Sequence, residues 1–404
     1  MAALLMGKVY YNEHFAGYLR EEPGDRTSFT YDDHYLNITL PPISHTLPLR
    51  SEPFTTQAGL HPFFDNLAAE GWLEGAQTRF LGKRQATRFE LLLTFGQDCA
   101  GAVSVVDPEP TKLVQTLANN LDPIEMAVMS NRASLSGVQP KLPVVERDGK
   151  FYPTKMGEVS THIAKFPSRE HDDLVMIEYY TMHAYSAVLL TDSIVDLWIG
   201  EVEGFPEQAL IIKRFDREVG GKRIHFEEFN QLLGHPSRAK YDGAYKDMAD
   251  FIWETKECLP AEVYRLYLRI LAGLLLGNTD MHLKNFAMLH TSDGLRLTPS
   301  YDQVAAAIYP SYKTVALAIG DAHNLEIGTL KPRNIITLGK EFRLPSGAIK
   351  MAYEHLLKSR DLAKDTIEAA RFLTPVTKNQ IIKMMERRWN GTFALIGQTL
   401  STKL

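Results

Sequence analysis

Three polar residues stand at a spacing that would gather them in one place. Asp280 and Asn285 are five positions apart, and Asp302 follows after two short segments of β-prone residues. The pair Asp293 and Gly294 lies between those segments and predicts a hairpin turn. The hairpin is nearly symmetric about this pair, so its open ends at Asn285 and Asp302 are expected to meet. One stretch of chain would then bring two carboxylates and an amide to a single site.

This set of side chains suits phosphoryl transfer. That reaction needs a carboxylate near the incoming hydroxyl and oxygen ligands for the metal ion that bridges the phosphates. Asp280 would orient or deprotonate the hydroxyl, while Asn285 and Asp302 would hold magnesium, a pattern that resembles the one in protein kinases. For a single aspartate, capping of a helix end or a turn is the more common role, but the joint spacing favours catalysis.

Two further polar side chains lie inside the same loop. We expect His282 to hydrogen-bond a backbone carbonyl and hold the shape of the loop, rather than to transfer a proton. We expect Lys284 to contact the transferring phosphate, with a solvated surface charge as the alternative.

A lysine and a glutamate are candidates for binding the phosphates of ATP. Lys165 follows an alternating, strand-like segment and could reach those phosphates. Glu178 lies on the next predicted helix and could pair with Lys165, although a solvated helix face explains it equally well.

The most apolar strand candidate, residues 209–212, leads to a possible adenine site at Lys213 and Phe215. Adenine needs backbone donors and acceptors in an apolar slot, which the end of such a strand supplies. Asp216 could reach the ribose, or it could pair with Arg214 or Arg217.

Residues 134–141 form a polar loop with one glycine, a poor match to known phosphate-binding loops. From the residues alone, a plain Ser/Gly turn is the favoured interpretation.

The chain divides by pattern into a β-rich first half and a helical second half, an α+β arrangement. The predicted domains are 1–108, 109–240 and 241–404. Helices are predicted at about 62–73, 84–95, 172–190, 260–276, 348–358, 361–372 and 379–395.

The composition is that of an ordinary globular protein, with 404 residues, 45% hydrophobic and 23% charged. The formal net charge of −5 argues against strong nucleic-acid binding by the chain alone. Its two cysteines lack metal-ligand spacing and fit a reducing compartment. The N-terminal apolar run is too short for a signal peptide and no segment has the length of a membrane span, so a cytoplasmic location is expected.

Taken together, these segments resemble the HipA family of bacterial toxin kinases. The matching stretches are residues 62–67, 96–103, 134–141, 162–167, 214–217, 277–286 and 297–302. The resemblance implies an α+β, HipA-like two-lobed kinase with a β-rich N-terminal region and a mostly helical C-terminal lobe, which uses ATP and Mg2+. It implies that Asp280 is the base, that Asn285 and Asp302 bind the metal, and that Lys165 binds phosphate. It also assigns adenine to the backbone of Lys213 and Phe215.

The resemblance further implies self-regulation and partners. Family members phosphorylate a serine of their own loop, which here is Ser134, with Ser136 as a second hydroxyl. Studied relatives phosphorylate an aminoacyl-tRNA synthetase and are neutralised by a helix-turn-helix antitoxin of the HipB type. The chain shows no convincing helix-turn-helix pattern, so contact with operator DNA is expected mainly through the antitoxin.

Two other hypotheses remain open at this point. A catalytically weak member could serve as a corepressor or scaffold that binds the antitoxin on operator DNA. A metal-dependent phosphoesterase could use the same cluster, but two-metal sites usually hold more carboxylate and histidine ligands than this one.

Overall fold

The computed structural model describes residues 4–109, 139–155, 157–168, 171, 173–218 and 220–401. The chain forms two compact units. The first comprises Met1–Asp172 and Asp196–Ala239, and the second comprises Asp173–Val195 and Lys240–Leu404. The second unit therefore includes Asp173–Val195, which the sequence pattern assigns to the predicted middle domain, 109–240. The predicted division at residue 108 falls inside the first unit.

The strands are β1 Met6–Tyr11, β2 His14–Glu22, β3 Arg26–Tyr31, β4 Phe54–Thr55, β5 Val103–Val106, β6 Lys141–Arg147, β7 Lys150–Pro153, β8 His162–Lys165, β9 Leu197–Gly200, β10 Ala209–Lys213, β11 Phe226–Glu228, β12 Ala287–Thr291 and β13 Gly294–Leu297. Ten strands of the first unit form two antiparallel sheets of five strands each, in the orders β4-β3-β2-β1-β5 and β7-β6-β8-β10-β9, and β11 lies outside both. Strands β12 and β13 belong to the second unit and form a hairpin.

The second unit is mostly helical, as its sequence pattern predicts. The described helices of the whole chain are α1 Asp33–Asn37, α2 Pro62–Leu67, α3 Gly71–Phe80, α4 Arg88–Phe95, α5 Leu174–Leu189, α6 Phe229–Leu232, α7 Tyr245–Glu254, α8 Ala261–Leu276, α9 Pro332–Glu341, α10 Ser346–Glu368, α11 Pro375–Gly391 and α12 Ile396–Ser401. The α+β class is thus confirmed. Within the described residues, no helix combines the length and the apolar run needed to cross a bilayer.

Several predicted helix boundaries are wrong: α4 begins at Arg88 and not at residue 84, α11 spans Pro375–Gly391 and not 379–395, and two predictions have the wrong number of helices. The single helix predicted at 62–73 is two helices, because Ala68 adopts an extended conformation and Gly71 a left-handed one. The two helices predicted at 348–358 and 361–372 are one, α10. No glycine or proline lies at the predicted gap, and the buried face of α10 continues past it through Ser359, Ala363 and Ile367.

Each sheet of the first unit has its own apolar core. Val9, Leu19 and Phe29 are buried beneath the first sheet together with Phe63 and Phe64 of α2. The second sheet has a separate cluster that includes Val144, Ala164 and Ile211. Such clusters stabilise each sheet, but they leave the connection between the sheets to other contacts.

A group of two aspartates, two arginines and one serine makes that connection, and we call it the ion cluster: Asp98, Ser160, Arg214, Asp216 and Arg217. Asp98 follows α4, whereas the two arginines follow β10. The Asp98 carboxylate accepts hydrogen bonds from Arg217 at 2.8 Å and from the Ser160 backbone at 2.9 Å. Asp216 accepts from Arg214 at 2.7 and 2.9 Å and from Arg217 at 2.6 Å. The N-terminal sheet region and the second sheet are therefore held together by ionic hydrogen bonds.

The arginines of the ion cluster stabilise the charged form of both carboxylates. Burial raises the pKa of Asp98 and of Asp216, but the adjacent arginines outweigh it, so both pKa values lie below their usual range. Removing one partner would strand a buried charge, which is much more costly than losing an exposed ion pair.

We expect Asp216→Ala to lower the free energy of unfolding by about 3–5 kcal/mol, because Arg214 and Arg217 would lose their shared counter-ion. Chemical denaturation measures the change. Asp196→Ala is the matched control in the same unit, since the Asp196 side chain is 73% exposed and pairs with Lys213 only across 3.9 Å; it should change stability by less than about 1 kcal/mol. Unchanged stability with weakened ATP binding in Asp216→Ala would instead support a ribose contact.

Candidate active site

The loop that carries Asp280 begins at a sharp helix stop. Helix α8 ends at Gly277, whose φ of 82° lies in the left-handed region that glycine tolerates best. The backbone N–H of Asn278 returns to the carbonyl of Gly273 at 2.8 Å, which closes the helix end. Because α8 is buried along most of its length, the loop starts from a fixed point.

Asn278 fixes the loop from within. Its side chain is 1% exposed. The side-chain oxygen accepts from the backbone N–H of Asp280 at 2.9 Å, and the amide nitrogen donates to Gln303 at 2.9 Å. One buried amide therefore ties the Asp280 turn to the chain beside Asp302.

The predicted hairpin closes as expected. The amide nitrogen of Asn285 donates to a carboxylate oxygen of Asp302 at 2.9 Å. The turn itself differs from the prediction by one residue, because Thr291 pairs with Gly294 and the centre falls at Ser292–Asp293. Glycine is required at position 294 for a different reason: a Cβ there would lie 2.1 Å from the carbonyl oxygen of Glu257.

Asp302 has an unusual backbone, with φ at 58° in the left-handed region. For a residue other than glycine, this conformation costs on the order of 1 kcal/mol and persists only where neighbouring contacts impose it. Here the contacts come from Asn285 and from Asn278, whose amide lies 3.4 Å from the Asp302 carbonyl.

The arrangement fits a magnesium ion. Asn285 is 4% exposed, and its side-chain oxygen has no hydrogen-bond partner among the described residues. An amide oxygen buried in this way is unfavourable unless something binds it. Because the Asn285 nitrogen donates to Asp302, its buried oxygen is the atom left for another partner close to that carboxylate, and such hard oxygen ligands are those that magnesium prefers.

Asp280 differs from its neighbours in exposure. Its side chain is exposed, whereas Met281, His282, Leu283 and Asn285 are buried. The Tyr241 hydroxyl donates to one Asp280 carboxylate oxygen at 2.8 Å. An exposed carboxylate on a rigid loop can meet the hydroxyl of an incoming protein chain. Sequence reasoning missed Tyr241, which lies 39 positions earlier in a segment with no motif of its own.

His282 supports the loop as a hydrogen-bond acceptor. Its ring nitrogen Nδ1 accepts from the backbone N–H of Lys284 at 3.3 Å, and the expected bond to a backbone carbonyl stays a prediction. Burial, together with Lys240 and Lys284, lowers the pKa of His282 to about 3. At neutral pH the ring is uncharged, so the geometry favours the structural role over proton transfer. Lys284 is partly buried, and its carbonyl accepts from Tyr301 at 2.9 Å.

The predicted nucleotide-binding residues are distributed over both units. Lys165 ends β8 in the first unit, and Glu178 is 1% exposed on α5 in the second. A solvated helix face is therefore the wrong alternative for Glu178. The pairing of Lys165 with Glu178 stays a prediction.

The residues predicted for adenine and ribose lie at the end of β10. Phe215 packs against Phe226 with ring centroids 4.8 Å apart. The Lys213 N–H already donates to the Asp196 carbonyl at 2.9 Å, so any Lys213 contact with adenine has to come from its own carbonyl. Asp216 is 3% exposed within the ion cluster, which favours the ion-pair alternative over a ribose contact. Ser134 and Ser136 lie outside the described residues.

The fold is that of a protein kinase. Residues 7–106 match the family profile of the HipA N-terminal domain, and residues 133–370 match that of the HipA-like C-terminal domain. The chain belongs to the HipA family of serine/threonine-protein kinase toxins.

Individual relatives agree with this assignment. The chain is 29% identical to the putative kinase Y4mE of Sinorhizobium fredii, over 77% of this chain and 80% of that protein. It is also 29% identical to the serine/threonine-protein kinase toxin HipA of Shewanella oneidensis, over 74% of this chain and 75% of that one. The solved complex of Shewanella oneidensis HipA with HipB and operator DNA matches the fold with a TM-score of 0.77 at 21% identity, over 96% of this chain and 99% of the other.

The low pKa of His282 predicts a pH-dependent stability. The unfolded side chain takes up a proton below its ordinary pKa of 6.5, whereas the folded one does so only near 3. Stability is therefore complete above pH 6.5 and falls as the pH drops toward 3. Between pH 7.5 and 5.5 this residue should account for a loss of about 1.3 kcal/mol.

Urea denaturation of the unmodified chain and of His282→Gln at both pH values measures this contribution. The variant should lose less stability on acidification, by roughly that amount. Equal losses in both proteins would show that His282 is not held neutral by the fold.

Proposed function

We propose that this chain transfers the γ-phosphoryl group of ATP to serine or threonine hydroxyls of a protein and acts as the toxin of a toxin–antitoxin pair. The observation that carries the proposal is the constellation of Asp280, Asn285 and Asp302. It combines an exposed carboxylate with a buried amide oxygen that has no partner among the described residues and lies beside a second carboxylate. Family membership supports the same conclusion.

Each residue of the constellation has a separate task in this proposal. Asp280 accepts a hydrogen bond from the incoming hydroxyl, orients its oxygen toward the γ-phosphorus and takes its proton as the new oxygen–phosphorus bond forms and the bond to the departing ADP oxygen breaks. Asn285 and Asp302 would hold magnesium, which, when bound, supplies neutralisation of the charge on the phosphate oxygens. Lys284 lies in the same loop and is the proposed contact for the transferred phosphoryl group.

The nucleotide is proposed to be bound by residues of the first unit. Lys165 would contact the ATP phosphates, with Glu178 as the proposed partner that orients it. The backbone at Lys213 and Phe215 would receive adenine. Asp216 has no direct part in nucleotide binding here, because the two arginines of the ion cluster occupy its carboxylate.

The regulation and partners are proposed from family resemblance. Ser134 is the proposed site of self-phosphorylation, with Ser136 as the alternative. The substrate is proposed to be a translation protein, such as an aminoacyl-tRNA synthetase. A HipB-like helix-turn-helix antitoxin would neutralise the chain and provide most of the contact with operator DNA. The solved HipA relative was captured with HipB and operator DNA, which supports this choice of partner.

A catalytically weak corepressor is the alternative function. The retained acidic constellation weighs against it, because antitoxin binding does not require a strained aspartate beside an amide oxygen without a described partner. Absence of phosphate transfer, with normal operator binding alongside the antitoxin, would favour the corepressor.

We expect Asp280→Ala to reduce phosphate transfer by at least about 100-fold, because the incoming hydroxyl would lose its base and its orientation. Radiolabelled ATP with magnesium measures transfer to the chain itself. Asp293→Ala is the matched control, since Asp293 is an exposed carboxylate at the tip of the β12–β13 hairpin; its activity should match the unmodified chain. Labelling that persists in Asp280→Ala would contradict the role of Asp280.

The same pair of proteins can identify the substrate. Phosphoproteomics of cells that express the active chain or Asp280→Ala would reveal sites phosphorylated only by the active chain. A peptide covering residues 134 and 136 would show which serine carries the phosphate.

We expect Asn285→Leu to raise the magnesium concentration required for half-maximal transfer by at least about 10-fold. The substitution keeps a side chain branched at the same carbon but removes the proposed oxygen ligand, together with the hydrogen bond to Asp302. A magnesium titration at saturating ATP measures this requirement. An unchanged magnesium requirement would remove Asn285 from the metal site.

A further inference from the structure

Tyr241 lies in direct contact with the proposed base, and neither the motifs nor the family profiles assign it a task. Its hydroxyl donates to the Asp280 carboxylate at 2.8 Å. The residue is 47% exposed, so burial of its ring does not by itself explain a tyrosine here. A phenol with a polar tip and an apolar body is well suited to hold another polar group in place.

The position of Tyr241 is fixed relative to the loop. The carbonyl of the preceding residue, Lys240, accepts from the backbone N–H of Leu283 at 3.1 Å. The Tyr241 ring meets the His282 ring edge to face, with centroids 5.0 Å apart and an interplanar angle of 83°. The backbone bond and the ring contact join residues 240 and 241 to His282 and Leu283, which follow Asp280 in the loop. The Tyr241 ring is therefore held in place independently of its hydroxyl.

The backbone of Asp280 is also fixed, by two hydrogen bonds. Its backbone N–H donates to the Asn278 side chain at 2.9 Å, and its carbonyl accepts from the backbone N–H of His282 at 2.9 Å. These bonds fix the backbone but leave rotation about the side-chain torsions. An exposed aspartate otherwise populates several rotamers, and the phenol hydrogen bond selects one of them.

We propose that Tyr241 is a positioning residue, which holds the Asp280 carboxylate in the rotamer that receives the substrate hydroxyl. This inference rests on the proposed kinase function and deepens it. Tyr241 acts through Asp280 and needs no contact with ATP. Loss of its hydroxyl should therefore slow transfer from bound ATP without weakening ATP binding.

Tyr241→Phe isolates the hydroxyl, because the phenylalanine ring keeps the contact with His282. We expect the maximal rate of phosphate transfer to fall roughly 10- to 100-fold, with an unchanged half-saturating ATP concentration and melting temperature. Transfer is measured with radiolabelled ATP, using the chain itself and dephosphorylated casein as acceptors. A fluorescent ATP analogue reports nucleotide binding separately.

Two further variants complete the experiment. Tyr264→Phe removes a half-buried tyrosine hydroxyl from the same unit, on α8, and should behave like the unmodified chain. Tyr241→Ala removes the ring as well. A packing role for Tyr241 would leave Tyr241→Phe fully active and impair only Tyr241→Ala, and that result would overturn the proposal. A rise in half-saturating ATP for Tyr241→Phe would overturn it too, because a positioning residue for Asp280 does not act on nucleotide binding.

Failure of the underlying kinase function has a different signature. In that case the unmodified chain would transfer no phosphate to either acceptor, and Asp280→Ala would be indistinguishable from it. An active unmodified chain, an inactive Asp280→Ala and a fully active Tyr241→Phe would preserve the kinase and reject only the role of Tyr241.

Discussion

The hydrogen bond from the Asn285 amide to the Asp302 carboxylate is the constraint on which the proposed site depends. It brings together two residues 17 positions apart and fixes which end of the amide faces the carboxylate. An amide turned the other way would place two acceptor oxygens against each other, so the Asn285 nitrogen, and not its oxygen, faces Asp302. The hairpin therefore determines both the distance between these side chains and the identity of the atom that is offered for binding.

The surroundings of this bond are built to resist change. The left-handed backbone of Asp302 is tied by Asn278, which also holds the turn before Asp280. His282 remains an uncharged acceptor because burial and nearby lysines oppose its protonation. The loop thus combines an exposed base with a buried support of amides and an imidazole, and little of that support changes charge near neutral pH.

The sequence was most informative where local chemistry determines structure. The stop of α8 at Gly277, the hairpin and the meeting of Asn285 with Asp302 all follow from turn residues and β-prone segments. The centre of the turn was misplaced because Gly294 serves the close approach of the Glu257 carbonyl, a contact that local patterns do not record. Tyr241 was missed for the same reason, since only the tertiary fold brings its hydroxyl to Asp280. From the sequence, the ion cluster was visible only as an alternative role for Asp216. Its second carboxylate, Asp98, lies 119 positions from its partner Arg217, so no local pattern reveals the contact.

The order of segments in the two units has a consequence for how the chain can be divided. The chain leaves the first unit after residue 172 and contributes α5 to the second. It returns to the first unit at residue 196 and enters the second again at residue 240. No single cleavage can therefore release either unit whole. During synthesis, Asp98 emerges long before Arg214 and Arg217, so the first unit cannot complete its ionic contacts until α5 has already been made. A nascent chain that stops short of β10 would hold neither a finished first unit nor the Asp280 loop, so the proposed kinase activity requires the chain beyond both.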